Sequence, residues 1–279
     1  MPNDEMAEFW NDRGGRQWVR ERHRYDVMLA PCSHRLFGAI ALQSGERVLD
    51  VGCGNGATTL EAAALVGPQG TATGVDLSGP MLDEARRRAV DEGAGRTEFL
   101  RLDVQTAALP GPFDVMISRF GVMFFEDPST AFDNIARSLR PGGRMCFVCW
   151  QEMMSNEWIR VPVLAAVEHV GIPELPEPGA PGPFALAEPS RVQPLLESAG
   201  MTDIDIHEAS DPLLIGSDLD DVMSFLLADE FARRLLDGKD PDLVSRAEVA
   251  MREALGPFVR PDGVFLGSAY WIVTAIRAA

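Results

Sequence analysis

Residues 47–56 read Arg47-Val48-Leu49-Asp50-Val51-Gly52-Cys53-Gly54-Asn55-Gly56. An apolar run ends on an acid and passes straight into three closely spaced glycines. A helix-like stretch follows, Ala57-Thr58-Thr59-Leu60-Glu61-Ala62-Ala63-Ala64-Leu65. That order predicts a strand, a tight turn and a helix, with a ligand pocket at the carboxyl end of the strand. Glycine lets the backbone turn sharply and lets a ligand approach where a Cβ would block it. The new helix offers unpaired N–H groups and the positive end of its dipole, which suit a carboxylate or phosphate. The loop alone is ambiguous, because Gly52-x-Gly54-x-x-Ala57 also fits the looser dinucleotide pattern.

Outward from the loop, helix and strand patterns alternate to about residue 150, which argues for βαβ units and a parallel sheet. Strands are expected at 47–51, 71–76, 98–102, 113–118 and 144–149, with helices at 58–65, 80–92 and 129–139. Arg140-Pro141-Gly142-Gly143 reads as a turn before the fifth strand. Beyond Trp150 the pattern predicts helices at 156–170, 190–199, 219–236 and 241–255, and strands at 202–208 and 264–276. These last two strands can pair as an antiparallel edge on the sheet. Residues 172–189 are dense in proline and glycine, and an irregular segment of that length points to function or mobility. The expected organisation is one domain: a helical lid at 1–46, a cofactor-binding core at 47–150, and a substrate cap with the closing strands at 151–279. For residues 1–46, plain N-terminal packing is the alternative to a lid.

The formal charge of −17 repels phosphate backbones and argues against a nucleic-acid partner. Lys239 is the single lysine beside 24 arginines, and the clusters at 13–24 and 86–88 read as solvated helix faces. No uninterrupted apolar run is long enough to predict a membrane span. Met1-Pro2-Asn3-Asp4-Glu5 lacks the basic-then-apolar layout of a secretory signal, so a cytoplasmic location is expected. Cys146-x-x-Cys149 has metal-like spacing, but it falls in a strand pattern, where residues three apart face opposite ways. No metal site is expected.

The ends of the later strands carry acids. Asp76, 20 residues past Gly56, can accept hydrogen bonds from two vicinal ribose hydroxyls, or else favour the next helix through its dipole. Asp103 can accept from an adenine amino group beside the Val104 N–H, or else be a solvated turn acid. Phe120 can wall a reacting centre after strand four.

Taken together, Asp50 through Gly56, Gly74-Val75-Asp76-Leu77-Ser78, Leu102-Asp103-Val104, Phe113-Asp114-Val115 and Leu139-Arg140-Pro141-Gly142-Gly143 resemble class I S-adenosylmethionine-dependent methyltransferases in order and spacing. The resemblance covers roughly residues 45–150. It is nearest to the small-molecule branch related to ubiquinone and menaquinone biosynthesis, from which the long segment after residue 150 departs. It implies an α/β, Rossmann-like fold: a mostly parallel seven-stranded sheet with an antiparallel edge strand and a helical cap. It implies S-adenosyl-L-methionine as cofactor and a small, partly hydrophobic acceptor. It assigns Asp50, Gly52, Cys53 and Gly54 to the methionine part, Asp76 to the ribose, Leu77 and Met81 to the adenosine, and Asp103 and Val104 to adenine. Ser118 would lie beside the sulfonium. Trp18 would close over the cofactor, with Arg20 or Arg24 meeting its carboxylate.

Methyl transfer needs in-line alignment and exclusion of water, and a base only when the acceptor must lose a proton. No catalytic residue is assigned; His169 and Glu152 are the candidates for a base. Met153, Met154, Trp158, Phe184, Phe225 and Phe231 are candidates for an acceptor pocket, or else core of the cap. A homodimer is compatible with the sequence. Two other classes use the same loop: a nicotinamide-dependent oxidoreductase, for which no Tyr-Lys or His pair is recognisable, and a non-catalytic binding protein, against which Asp50, Asp76 and Asp103 argue.

Overall fold

In a computed structural model, which describes residues 3–173, 177 and 179–279, the chain opens with four helices: α1 (Asp4–Asn11), α2 (Arg13–Arg20), α3 (Arg22–Met28) and α4 (Ala30–Ile40). Then come β1 (Arg47–Val51), α5 (Ala57–Val66), β2 (Thr71–Asp76), α6 (Gly79–Asp91), β3 (Thr97–Arg101), β4 (Phe113–Arg119), α7 (Pro128–Ser138) and β5 (Leu139–Trp150). The remainder comprises α8 (Glu157–Val170), α9 (Pro189–Ser198), β6 (Met201–Ala209), β7 (Pro212–Gly216), α10 (Leu219–Ala228), α11 (Glu230–Leu236), α12 (Pro241–Leu255), β8 (Val259–Arg260), β9 (Gly263–Gly267) and β10 (Tyr270–Arg277). Of the expected proline-rich segment, residues 174–176 and 178 lie outside the described residues.

Seven strands form one sheet in the order β3-β2-β1-β4-β5-β10-β6. β1 to β5 run parallel, and β10 runs antiparallel to both β5 and β6. The sheet is thus mostly parallel, and the reversed strand sits one place in from the edge, which β6 occupies. The apolar run of β1 is central: Val48 and Leu49 are fully buried, as expected of a strand covered on both faces. From β1 the chain winds outward to β3 and then returns to β4 on the other side. This reversal opens a crevice at the carboxyl ends of β1 and β4, the usual ligand site of an open α/β sheet.

Three local expectations are corrected. Residues 264–276 are not one strand. β9 belongs to a separate three-stranded sheet, β7-β9-β8, and the break before β10 is held by Ser268 Oγ donating to the Asp211 carbonyl at 2.7 Å and Ala269 N donating to Asn156 Oδ1 at 2.9 Å. Residues 219–236 are two helices, because Asp229 turns the chain and its carboxylate accepts from Phe231 N at 2.9 Å as a new N-cap. Pro141-Gly142-Gly143 is a bulge inside β5 rather than a turn ahead of it; Val115 pairs with Arg144 while Phe113 pairs with Leu139, and Gly142 takes a positive φ of 71°. Cys146 and Cys149 are both buried, with sulfurs near the Leu36 and Leu186 carbonyls respectively. Among the described residues, no helix is long and apolar enough to cross a membrane.

Candidate active site

The sequence turns at Gly52 because no other residue fits. Its φ is 68°, and a Cβ there would lie 2.6 Å from Gly121 Cα. The loops after β1 and β4 therefore touch backbone to backbone. Ser118 locks this junction, its Oγ donating to the Val51 carbonyl at 2.7 Å and accepting from Gly121 N at 3.2 Å. Ser118 is fully buried and does not line the crevice, so its side chain fixes the loops instead of lying beside a ligand.

A cavity of about 400 Å³ opens above these strand ends. Gly52, Cys53 and Gly54 line it, as do Asp76, Leu77 and Met81 after β2, and Asp103 and Val104 after β3. Asp76 Oδ2 accepts from Gly54 N and Oδ1 from Ser78 N, both at 2.8 Å. Each oxygen has capacity for a further hydrogen bond, and Asp76 lines the cavity. Burial pushes the Asp76 carboxyl up, and the backbone N–H groups of Ser78 and Gly54 hold it down. Asp103 accepts from Gln105 N at 3.0 Å.

Asp50 lies behind the loop, fully buried and off the cavity wall. Oδ2 accepts from the Thr58 and Thr59 hydroxyls at 2.7 and 2.6 Å, while Oδ1 is buried with no partner. Burial pushes its carboxyl up to about 6, against the pull of the two threonines and Arg119.

The N-terminal helices seat on two of these loops. Asn55 Nδ2 donates to the Trp18 carbonyl at 2.9 Å, and Ser78 Oγ donates to the Trp10 carbonyl at 2.5 Å. The Trp18 ring lines the cavity and stacks on Tyr25 at 3.8 Å. On the far wall Phe120 stacks on Trp150, also at 3.8 Å. Trp158, Phe225 and Phe231 line the cavity; Met153, Met154 and Phe184 do not.

His169 and Glu152 do not line the cavity either, and Glu152 is exposed. Arg20 is exposed, and Arg24 spends its guanidinium on Asp221 and the Ile215 carbonyl. The structure instead brings three groups to the cavity that sequence reasoning missed: Tyr25, Arg119 and Asp229. Arg119 had a signal, as the one charge in the apolar run Val115-Met116-Ile117-Ser118-Arg119-Phe120. Among the described residues no group of three or more His, Cys, Asp or Glu side chains is placed to hold a metal.

A family model described as a methyltransferase domain matches residues 48–143. Aklanonic acid methyltransferase of Streptomyces sp. strain C5 is 36% identical over 118 residues, covering 42% of this chain and 54% of that protein. The chain therefore spans about half the length of that relative. Nocamycin O-methyltransferase of Saccharothrix syringae is 31% identical over 188 residues, covering 64% of this chain and 67% of that protein. Magnesium protoporphyrin IX methyltransferase from Synechocystis PCC 6803, solved with bound SAH, superposes with a TM-score of 0.57 over 98% of each chain at 15% identity.

Proposed function

This chain belongs to the S-adenosylmethionine-dependent methyltransferases, and from that premise we propose that it transfers a methyl group to a small, largely apolar acceptor held between its N-terminal helices and its C-terminal cap. The observation that carries this reading is the two-ended cavity. One end is built of strand-end backbone and the acids Asp76 and Asp103; the other is walled by Trp18, Phe120, Trp150, Phe225 and Phe231.

The cradle fits the cofactor on its own terms. The Gly52 loop leaves no room for a side chain, Asp76 keeps a free lone pair on each oxygen for a vicinal diol, and Asp50 braces the loop from behind through Thr58 and Thr59. Gly52, Cys53 and Gly54 would hold the methionine part, Asp76 the ribose, Leu77 and Met81 the adenosine, and Asp103 and Val104 the adenine. When bound, the cofactor supplies an electrophilic methyl on a sulfonium cation. The stacked Phe120–Trp150 and Trp18–Tyr25 pairs exclude water and orient the acceptor. Trp18 and its helices act as the lid, and α8, α10, α11 and α12 with the small sheet act as the cap.

Asp229 is the group we assign to take a proton from the acceptor. Of the other carboxylates on the cavity wall, Asp26 pairs with Arg88, Glu230 pairs with Arg13 and Arg234, and Asp76 and Asp103 each accept on both oxygens, whereas Asp229 accepts through Oδ1 from Phe231 N. Asp229 has no cationic partner among the described residues, and burial raises its carboxyl, which moves a carboxylate toward the range of a useful base. The four cysteines are buried and unpaired, which suits a reducing compartment such as the cytoplasm.

Titration calorimetry with S-adenosylmethionine, S-adenosylhomocysteine and NADH in parallel tests the reading. Binding of the two adenosyl ligands and not NADH is expected, followed by label transfer from methyl-labelled cofactor to apolar acceptors. Binding of NADH alone would overturn it.

A further inference from the structure

Arg119 is the last residue of β4. The parallel β1–β4 register ends at Ile117 and Asp50, so Arg119 emerges at the carboxyl end of this strand pair and lines the same cavity as the glycine loop. Its guanidinium has five N–H donors, of which Nη1 reaches the Ser33 hydroxyl at 2.7 Å. Among the described residues it makes no ion pair, although Asp26, Asp50 and Glu61 are near enough for their charge to be felt. Half-buried on the cavity wall, the guanidinium keeps N–H donors open to an anion that enters the cavity. Burial pulls its pKa down from the ordinary arginine value.

A second observation converges on the same spot. Helix α5, ten residues long, begins at Gly56 with no side-chain cap. Its first residues, Ala57 and Thr58, line the same cavity as Arg119. An uncapped helix N-terminus presents free N–H groups and a positive dipole end. The other cavity-lining guanidinium, Arg234, is already paired with Glu230.

We infer that Arg119, with the N-terminus of α5, receives the carboxylate of the cofactor's amino-acid end. The inference rests on the cofactor assignment above. It replaces Arg20 and Arg24, whose side chains do not reach the cavity, and leaves the acceptor end without an unpaired cation. Bidentate Arg–carboxylate recognition adds orientation to affinity, so Arg119 would also set where the sulfur end of the cofactor lies. Arg119 is therefore a cofactor-binding residue that orients the cofactor.

The test is binding, read by calorimetry on the full chain with two ligands: S-adenosylmethionine and decarboxylated S-adenosylmethionine, which keeps the ammonium and the methyl sulfonium and lacks only the carboxylate. For the wild type, S-adenosylmethionine should bind at least about 10-fold tighter, the low end for a charged hydrogen bond. Arg119→Met should weaken S-adenosylmethionine by roughly 10- to 150-fold and change the decarboxylated ligand by less than about 3-fold. Arg119→Lys should fall between, because it keeps the charge and loses the fork. Equal losses on both ligands, or no loss on either, would overturn the inference; in the second case a raised acceptor KM at saturating cofactor would give Arg119 to the acceptor instead. If neither variant folds, the wild-type comparison still decides, and equal affinity for the two ligands overturns the inference. Wild type silent to both ligands overturns the cofactor assignment itself, a different failure.

Discussion

Replacing Asp76 by asparagine tests the ribose assignment most directly, and the choice of asparagine follows from the local geometry. Asp76 accepts from Gly54 N and Ser78 N at 2.8 Å each. Alanine would strip the partner from both N–H groups and would cost about 1–3 kcal/mol for each one left buried and unsatisfied, so any loss of binding would be confounded with a collapsed loop. Asparagine keeps the side-chain shape and one acceptor oxygen, so it leaves one of the two N–H groups without an acceptor where alanine leaves both, and it removes the charge. A hydrogen bond to a charged group is worth about 1.5–3 kcal/mol, so S-adenosylhomocysteine should bind roughly 10- to 150-fold more weakly. Calorimetry with S-adenosylhomocysteine and its 2′-deoxy analogue closes a double-mutant cycle. If Asp76 holds the ribose diol, the variant's penalty is smaller for the deoxy ligand, and the two changes are not additive. Equal penalties on both ligands, with the unliganded variant melting near the wild-type temperature, would refute the assignment.

Asp50 provides a pH test of the buried loop. Its folded carboxyl is raised from 3.8 to about 6, so the folded chain holds this proton more tightly than the unfolded chain does. The wild type's stability advantage over Asp50→Asn should therefore shrink as pH rises through the window between those values, by up to about 3 kcal/mol for a shift near 2 units; a difference flat with pH in denaturant unfolding would sink the idea. Gly52→Ala should lose about 1–2 kcal/mol from its left-handed backbone alone, and more from contact with Gly121 Cα, with a matching fall in S-adenosylhomocysteine affinity. A variant of unchanged melting temperature would contradict the close loop contact. Asp229→Asn should lower kcat by about 10²- to 10⁴-fold while leaving cofactor affinity intact, and should abolish the acidic limb of the pH–rate profile. Retention of that limb would remove Asp229 from the mechanism.

What could be read from the sequence was local and periodic. The strand ending on Asp50, the glycine turn and the acids at 76 and 103 each belong to a strand end, and a sheet of parallel strands must bring such ends together. The cation on the cavity wall could not be read in the same way. Arg119 is half-buried, and its held position depends on α4 delivering Ser33 over the end of β4, a contact spanning 86 residues of sequence. The strands β7 and β8 are short and lack alternation. Residues 264–276 looked continuous because Ser268 and Ala269, which turn the chain between two sheets, are held by Asp211 and Asn156 from distant segments. His169 lies beside the proline-rich segment on α8 and Glu152 just past β5, and neither reaches the cavity wall.

The two ends of the cavity are built on different terms, and this bears on how the chain can change. At the proposed cofactor end the wall is set by loops that touch at Gly52 and Gly121, so one added methyl disturbs two loops at once. At the proposed acceptor end they are side chains from α2, α3, α8, α10 and α11, set against Phe120 and Trp150 from the ends of β4 and β5. Arg24 binds Asp221 across α3 and α10, and Asn55 binds the Trp18 carbonyl across the glycine loop and α2. The second tie matters for order of binding. On the proposed assignment, the loop that would cradle the cofactor also holds the backbone of Trp18, so filling the cofactor end should steady Trp18 and, through its stack, Tyr25. Acceptor affinity should then depend on the cofactor far more than the area of contact between the two ligands would suggest, and the physical carrier of that dependence is the Asn55–Trp18 hydrogen bond.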